Sequence, residues 1–226
     1  MIRESPAVTA APAVRTVDVR HEQLARALFA AIAAIMITFS PDHSASVGMS
    51  VFSGFATASA IAFFLSAWLV HPAGRRRLPI VLGSLTLVGA ILGGLPPLRT
   101  PIGFFAVVVS WAAVTGAIEL AAGIRRRRRE PVARDQILIG ALGLALALGL
   151  LLVNPAYSLE YVIAEAGGAY TLTGITIGVG IFGGYAAVIA VFLGIAGFSP
   201  RAPRSAESVE ATASASPHNV NPEVAS

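Results

Sequence analysis

Cysteine is absent from the 226-residue chain, and with it go disulfides, thiolate nucleophiles and cysteine-ligated metals. Lysine is absent too, since all sixteen basic residues are arginine, and charged residues of both signs make up only 12% of the chain. The four histidines, His21, His43, His71 and His218, include no pair three or four residues apart, so no metal site is expected. There is no phosphate-binding Gly-Lys loop, no Gly-x-Ser-x-Gly, no His-Glu-x-x-His and no cluster of carboxylates. The chain is therefore expected to act without catalytic residues and without a cofactor. Apart from Arg26, which interrupts the start of the first apolar stretch and can snorkel to the interface, its arginines lie at the chain ends and in short loops, a distribution that serves topology and points away from a nucleic-acid partner.

What the chain has in quantity is apolar surface. Hydrophobic residues make up 55% of it and the mean hydropathy is +0.75, outside the range of soluble domains. Apolar stretches at 24–40, 46–71, 78–95, 101–124, 135–153 and 171–198 each approach or exceed the ~20 residues that cross a ~30 Å hydrocarbon layer. The expectation is an all-α polytopic membrane protein of six transmembrane helices, occupying 20–198, with polar tails at 1–19 and 199–226 that lack apolar periodicity and are expected to be disordered.

Loop charge predicts the orientation. Arg75, Arg76 and Arg77 follow the second helix, and Arg125, Arg126, Arg127, Arg128, Arg129 and Arg134 separate the fourth from the fifth. Loops on the opposite side carry Asp42, Arg99, Glu160 and Glu165. Positive loops stay inside, so both termini are expected in the cytoplasm of a multi-pass cell (inner) membrane protein. A repeat underlies the pattern. Pro41, Pro96 and Pro155, at intervals of 55 and 59 residues, each follow an odd-numbered helix and open an outer turn. A longer helix then returns to an arginine stop, giving three helical hairpins. Proline suits such turns because it cannot continue a helix and lacks the N–H that would need a partner.

Trp111, Gly116 and Glu119 precede Arg125 in a Trp-x4-Gly-x2-Glu…Arg pattern that resembles the fourth-helix signature of the HdeD-like membrane proteins, bacterial proteins built from a short two-helix repeat. The resemblance spans roughly 20–200 and takes in the six helices, the turn prolines and the arginine stops. It implies an inner-membrane protein without established catalysis, tied through the family's founding member to acid or envelope stress. The chain departs from the pattern in a third repeat lengthened around 158–168, and in carrying the signature once, with Trp68 at the far end of the second helix.

Glu119 is the candidate intramembrane acid, because a carboxylate inside an apolar segment is costly and marks function by default. Six residues separate it from Arg125, about 9 Å along a helix, so an ion pair with Arg125, Arg126 or Arg134 is the plainer expectation. A small transporter or proton conduit built on Glu119, or an accessory subunit of a larger complex, are the alternatives to a stress role. Arg125, Arg126, Arg127, Arg128 and Arg129 act first as a stop-transfer signal and also suit anionic lipid head groups or a protein partner. Gly89 and Gly93, Gly174 and Gly178, and Gly180 and Gly184 stand four apart, a spacing that lets helices approach within the chain or in a homo-oligomer.

Overall fold

The structure, a computed structural model, describes residues 19–128, 133–163 and 168–199. Residues 1–18 and 200–226 of the two tails, with Arg129 and Glu165, lie outside the described residues.

Among the described residues, six helices are long and apolar enough to cross a membrane: α1 (Val19–Phe39), α2 (Ala45–Leu69), α3 (Arg77–Gly94), α4 (Pro101–Arg126), α5 (Ala133–Leu151) and α6 (Gly174–Phe198). The expected all-α polytopic architecture is thus the observed one, with boundaries within a few residues of the hydropathy segments. Each even-numbered helix begins on a hydroxyl cap that satisfies an otherwise unpartnered backbone N–H. Ser44 Oγ accepts from Val47 N, Thr100 Oγ1 from Gly103 N at 3.1 Å, and Thr173 Oγ1 from Thr176 N at 3.3 Å. The turns before these caps hold Pro41, the 3-10 turn Pro96–Leu98 and Pro155. The first turn is closed further by Asp42, whose carboxylate accepts from both N and Oγ of Ser44.

The third turn departs from the expectation. Residues from 171 onward were expected to begin the last helix, yet β2 (Gly168–Thr173) pairs antiparallel with β1 (Ser158–Ile163), with Tyr161 opposite Tyr170 and Ser158 opposite Thr173. Hydropathy does not separate a short apolar strand from the start of an apolar helix. Here Thr171 and Thr173 favour the extended form and a partner strand is at hand. The lengthening of the third repeat is this hairpin. Past Gly174, α6 runs unbroken despite its seven glycines.

The helices close into a ring in chain order, α6 returning against α1, while α2, α4 and α6 also touch one another inside. The most extensive interfaces are α2 with α3, α4 with α5 and α6 with α1, so helices joined at the arginine-bearing links pack more closely than those joined at the proline turns. Phe52 from α2, Phe104 and Val108 from α4, and Val179 and Phe182 from α6 are fully buried where the inner helices meet. Phe52 meets Trp111 and Phe182 edge to face, at centroid distances of 5.2 and 5.7 Å. These residues lie within three turns of the capped starts of their helices, so an aromatic core fills the centre of the half nearer the proline turns, beside an apolar groove of ≈ 260 Å³ between α1 and α2. Outside, Leu28, Ile35, Ile61, Val88, Leu148 and Val191 are exposed. Such a surface is expensive in water and ordinary in lipid.

The glycine pairs divide. A Cβ on Gly89 or Gly93 would press on Trp111 or Phe52, one on Gly178 on Phe105, and one on Gly174 on the Asn154 carbonyl. Gly180 and Gly184, by contrast, are exposed and have nothing within 4 Å of a built Cβ, so the expected packing within the chain does not occur there; Gly183 faces inward instead, against Ile37. A spacing of four identifies a stripe, but neighbouring helices decide which stripe is covered.

Candidate functional site

The half of the bundle nearer the arginine links is not solid. The first turns of α1 present Glu22, Gln23 and Arg26 to its neighbours, and each reaches a different helix. Gln23, buried, donates from Nε2 to Asp135 Oδ2 of α5 at 3.0 Å. Glu22 accepts a hydrogen bond from the Ser66 hydroxyl of α2, which also lies 3.2 Å from His71 Nδ1. Arg26 Nη2 donates to Glu119 Oε1 of α4 at 3.2 Å, and its guanidinium carbon stands 4.3 Å from the centroid of the Phe63 ring, a cation–π contact. The start of α1 is anchored to the end of α6 by the Arg20 side chain, whose Nε donates to Gly197 O at 2.7 Å.

These side chains surround a cavity of ≈ 320 Å³ between the ends of α1 to α5. His71, Pro72, Arg75 and Arg126 line the end of it that faces the arginine links; Phe63, Leu78, Leu82 and Ile139 supply apolar wall; Arg26 and Glu119 lie at its inner limit. A smaller cavity of ≈ 20 Å³ continues inward and shares Arg26, Phe63, Leu82 and Glu119 with the first. Ser59, Thr86, Trp111, Thr115 and Tyr185 also line it. Trp111 Nε1 donates to Thr86 Oγ1 at 3.3 Å, Thr115 Oγ1 donates to Trp111 O, and the buried Ser59 hydroxyl has no hydrogen-bond partner among the described residues. The polar path stops at the aromatic core.

No family model, no curated protein and no solved structure matches the chain. The site is therefore read from its own residues.

Of the residues singled out from sequence, Glu119 lies in the site at 7% exposure and Trp111 one cavity deeper. Gly116 faces the other way, where a Cβ would stand 2.9 Å from Gly140 O of α5. The expected partners of Glu119 were Arg125, Arg126 or Arg134; the partner is Arg26, 93 residues away in sequence. Arg126 reaches the chamber wall, whereas Arg125, Arg127 and Arg128 are exposed at the end of α4. Arg26, Gln23, Glu22, His71 and Asp135 were not singled out. One signal could have found Arg26: a lone acid inside one apolar segment and a lone base inside another are natural partners, since burying either alone is costly.

Proposed function

We propose that this chain is a non-catalytic inner-membrane protein of bacterial type whose cytoplasmic half is a solute-binding chamber, as in one inward-facing state of a small transporter. The observation that carries the proposal is the ≈ 320 Å³ cavity ending on the Arg26–Glu119 pair. Its size falls in the range of small-molecule pockets, and its few polar groups set in apolar wall follow the same pattern. Ionisable residues inside membrane segments face cavities or partners and mark solute paths. The aromatic core around Phe52, Phe104 and Phe182 closes the other half, so the arrangement suits alternating access better than an open pore. The cytoplasmic assignment rests on Arg75, Arg76, Arg77 and the α4 arginines flanking the chamber mouth, against Arg99 on the opposite side.

Because the chain has no cysteine, single-cysteine variants test this cleanly. A Gln136→Cys variant is expected to react with a membrane-impermeant maleimide in inverted vesicles and not in intact cells, while Ser158→Cys does the reverse. Failure of Gln136→Cys to react from either side removes the chamber; reaction in intact cells inverts the topology.

The HdeD-like reading is favoured by one observation: two of its three signature residues, Trp111 and Glu119, line the same polar path. A role in acid or envelope stress would then run through the chamber, and a deletion strain surviving both challenges as well as its parent would count against it.

A further inference from the structure

Resting on the chamber reading above, we infer that the solute is a small oxyanion, carboxylate or phosphate in chemistry, bound by Arg26. The acids of the chamber each have an engaged partner: Glu22 the Ser66 hydroxyl, Asp135 the Gln23 amide, Glu119 the Arg26 guanidinium. Glu22 and Asp135 each accept one hydrogen bond from a neutral donor and keep further acceptor positions, so anion selectivity rests on Arg26 and not on these acids. Arg26 is differently placed. A guanidinium carries five N–H donors in a planar fork. Among the described residues the acceptor bonded to Arg26 is one oxygen of Glu119, through Nη2. The guanidinium carbon stands over the Phe63 ring, which attracts the cation without taking the place of an oxygen acceptor. What remains is the geometry in which arginine takes carboxylate and phosphate in paired hydrogen bonds. Arg26 lies at the inner end of a cavity whose outer wall includes Arg75 and Arg126. The lining arginines Arg26, Arg75 and Arg126 are matched in number by Glu22, Glu119 and Asp135, so the preference for an anion comes from the Arg26 fork itself and not from the net charge of the cleft. The wall between, with Leu78 and Ile139 in it, is apolar and suits a short hydrocarbon portion more than a bare ion.

In this arrangement Glu119 is a competitor as well as a partner. An arriving oxyanion and the Glu119 carboxylate seek the same guanidinium, so removing the carboxylate charge strengthens the site and removing the guanidinium abolishes it. A purely structural ion pair would show no such opposition.

The test is binding to the full chain in nanodiscs of phosphatidylcholine, read by thermal stability, with acetate, butyrate, phosphate and ethylammonium at constant ionic strength in chloride. Butyrate or phosphate is expected to raise the melting temperature of the wild type and ethylammonium to leave it unchanged. Arg26→Gln is expected to lose the response, and Glu119→Gln to shift the half-saturating concentration down about tenfold, equivalent to about 1.4 kcal/mol. The same anions, in the Gln136→Cys protein with its ion pair intact, are expected to slow maleimide labelling, which covers the case in which Glu119→Gln folds poorly. A second set of nanodiscs containing phosphatidylglycerol separates the sources of oxyanion: loss of the response to free anions, with that lipid copurifying, assigns the site to a head-group phosphate, and a preserved response assigns it to a free solute. Stabilisation by ethylammonium alone, or unchanged affinity in a folded Glu119→Gln protein, overturns the inference. If Gln136→Cys labels normally but no anion slows it, the chamber stands and its anion selectivity falls; if Gln136→Cys does not label, the chamber itself falls.

Discussion

Replacing Glu119 by Gln should cost more stability than replacing Arg26 by Gln, and replacing both should cost less than replacing Glu119 alone. The reasoning starts from burial: the two side chains are 15% and 9% exposed and 3.2 Å apart. Breaking a buried ion pair by removing one partner costs about 3–5 kcal/mol, because the survivor is left charged and uncompensated. The adjoining chamber reduces that figure here, since Arg26 borders a cavity open to the arginine side. About 2–3 kcal/mol is expected for Glu119→Gln. The reverse substitution leaves a carboxylate, which can be neutralised by taking up a proton, whereas a guanidinium keeps its charge. About 1–2 kcal/mol is expected for Arg26→Gln on that account. The double variant places two neutral amides where the pair stood and should recover to within about 1 kcal/mol of the parent, giving a coupling of about 2–5 kcal/mol. Unfolding by sodium dodecyl sulfate in mixed micelles, followed by tryptophan fluorescence, measures all four proteins under one condition. Trp111 lies close enough to report. Additive losses in the double variant, or a costlier Arg26→Gln, would refute the account of which charge is stranded.

Two further substitutions test the packing. Gly140→Ala, whose Cβ would stand 2.7 Å from Gly116 O, should force α4 and α5 apart and cost about 1–3 kcal/mol in the same assay. Gly180→Ala, with open space at its Cβ, should be neutral or gain up to about 1 kcal/mol from helix propensity; an equal loss at both sites would contradict the assignment of faces. Thr86→Val strands the indole N–H of Trp111 in the inner cavity and should cost about 1–3 kcal/mol, whereas Trp111→Phe with Thr86→Val together should cost less than the sum of the two.

How much of this was legible beforehand follows from the range of the interactions concerned. Helix number, proline turns and arginine stops are properties of contiguous segments, and hydropathy and loop charge report them directly. The hydroxyl caps at Ser44, Thr100 and Thr173 are local too, but hydropathy is silent on them and places Thr173 inside the last helix. Glu119 stood out because a carboxylate in an apolar run is anomalous wherever the helix packs. Its partner did not, because Arg26 near a helix start reads as a snorkelling base until tertiary structure brings α1 beside α4. The chamber is a further step removed. Gln23, Ser66, His71 and Asp135 come from three helices and a turn, and none is unusual in its own segment. The exposed Gly180 and Gly184 pair and the β1–β2 hairpin escaped sequence reading for a related reason. Which face of α6 is covered, and whether residues 168–173 extend or coil, depend on neighbours that periodicity does not contain.

Reaction of single cysteines along the bundle axis addresses the central claim most directly, that one half is an open polar chamber and the other a closed aromatic core. With a small membrane-impermeant methanethiosulfonate, Arg126→Cys at the mouth should react fastest, Leu82→Cys near the inner limit more slowly but from the same side, and Phe52→Cys in the core from neither side. Reaction of Phe52→Cys would replace the chamber with a continuous pore, and an unreactive Leu82→Cys beside a reactive Arg126→Cys would reduce it to a surface dent.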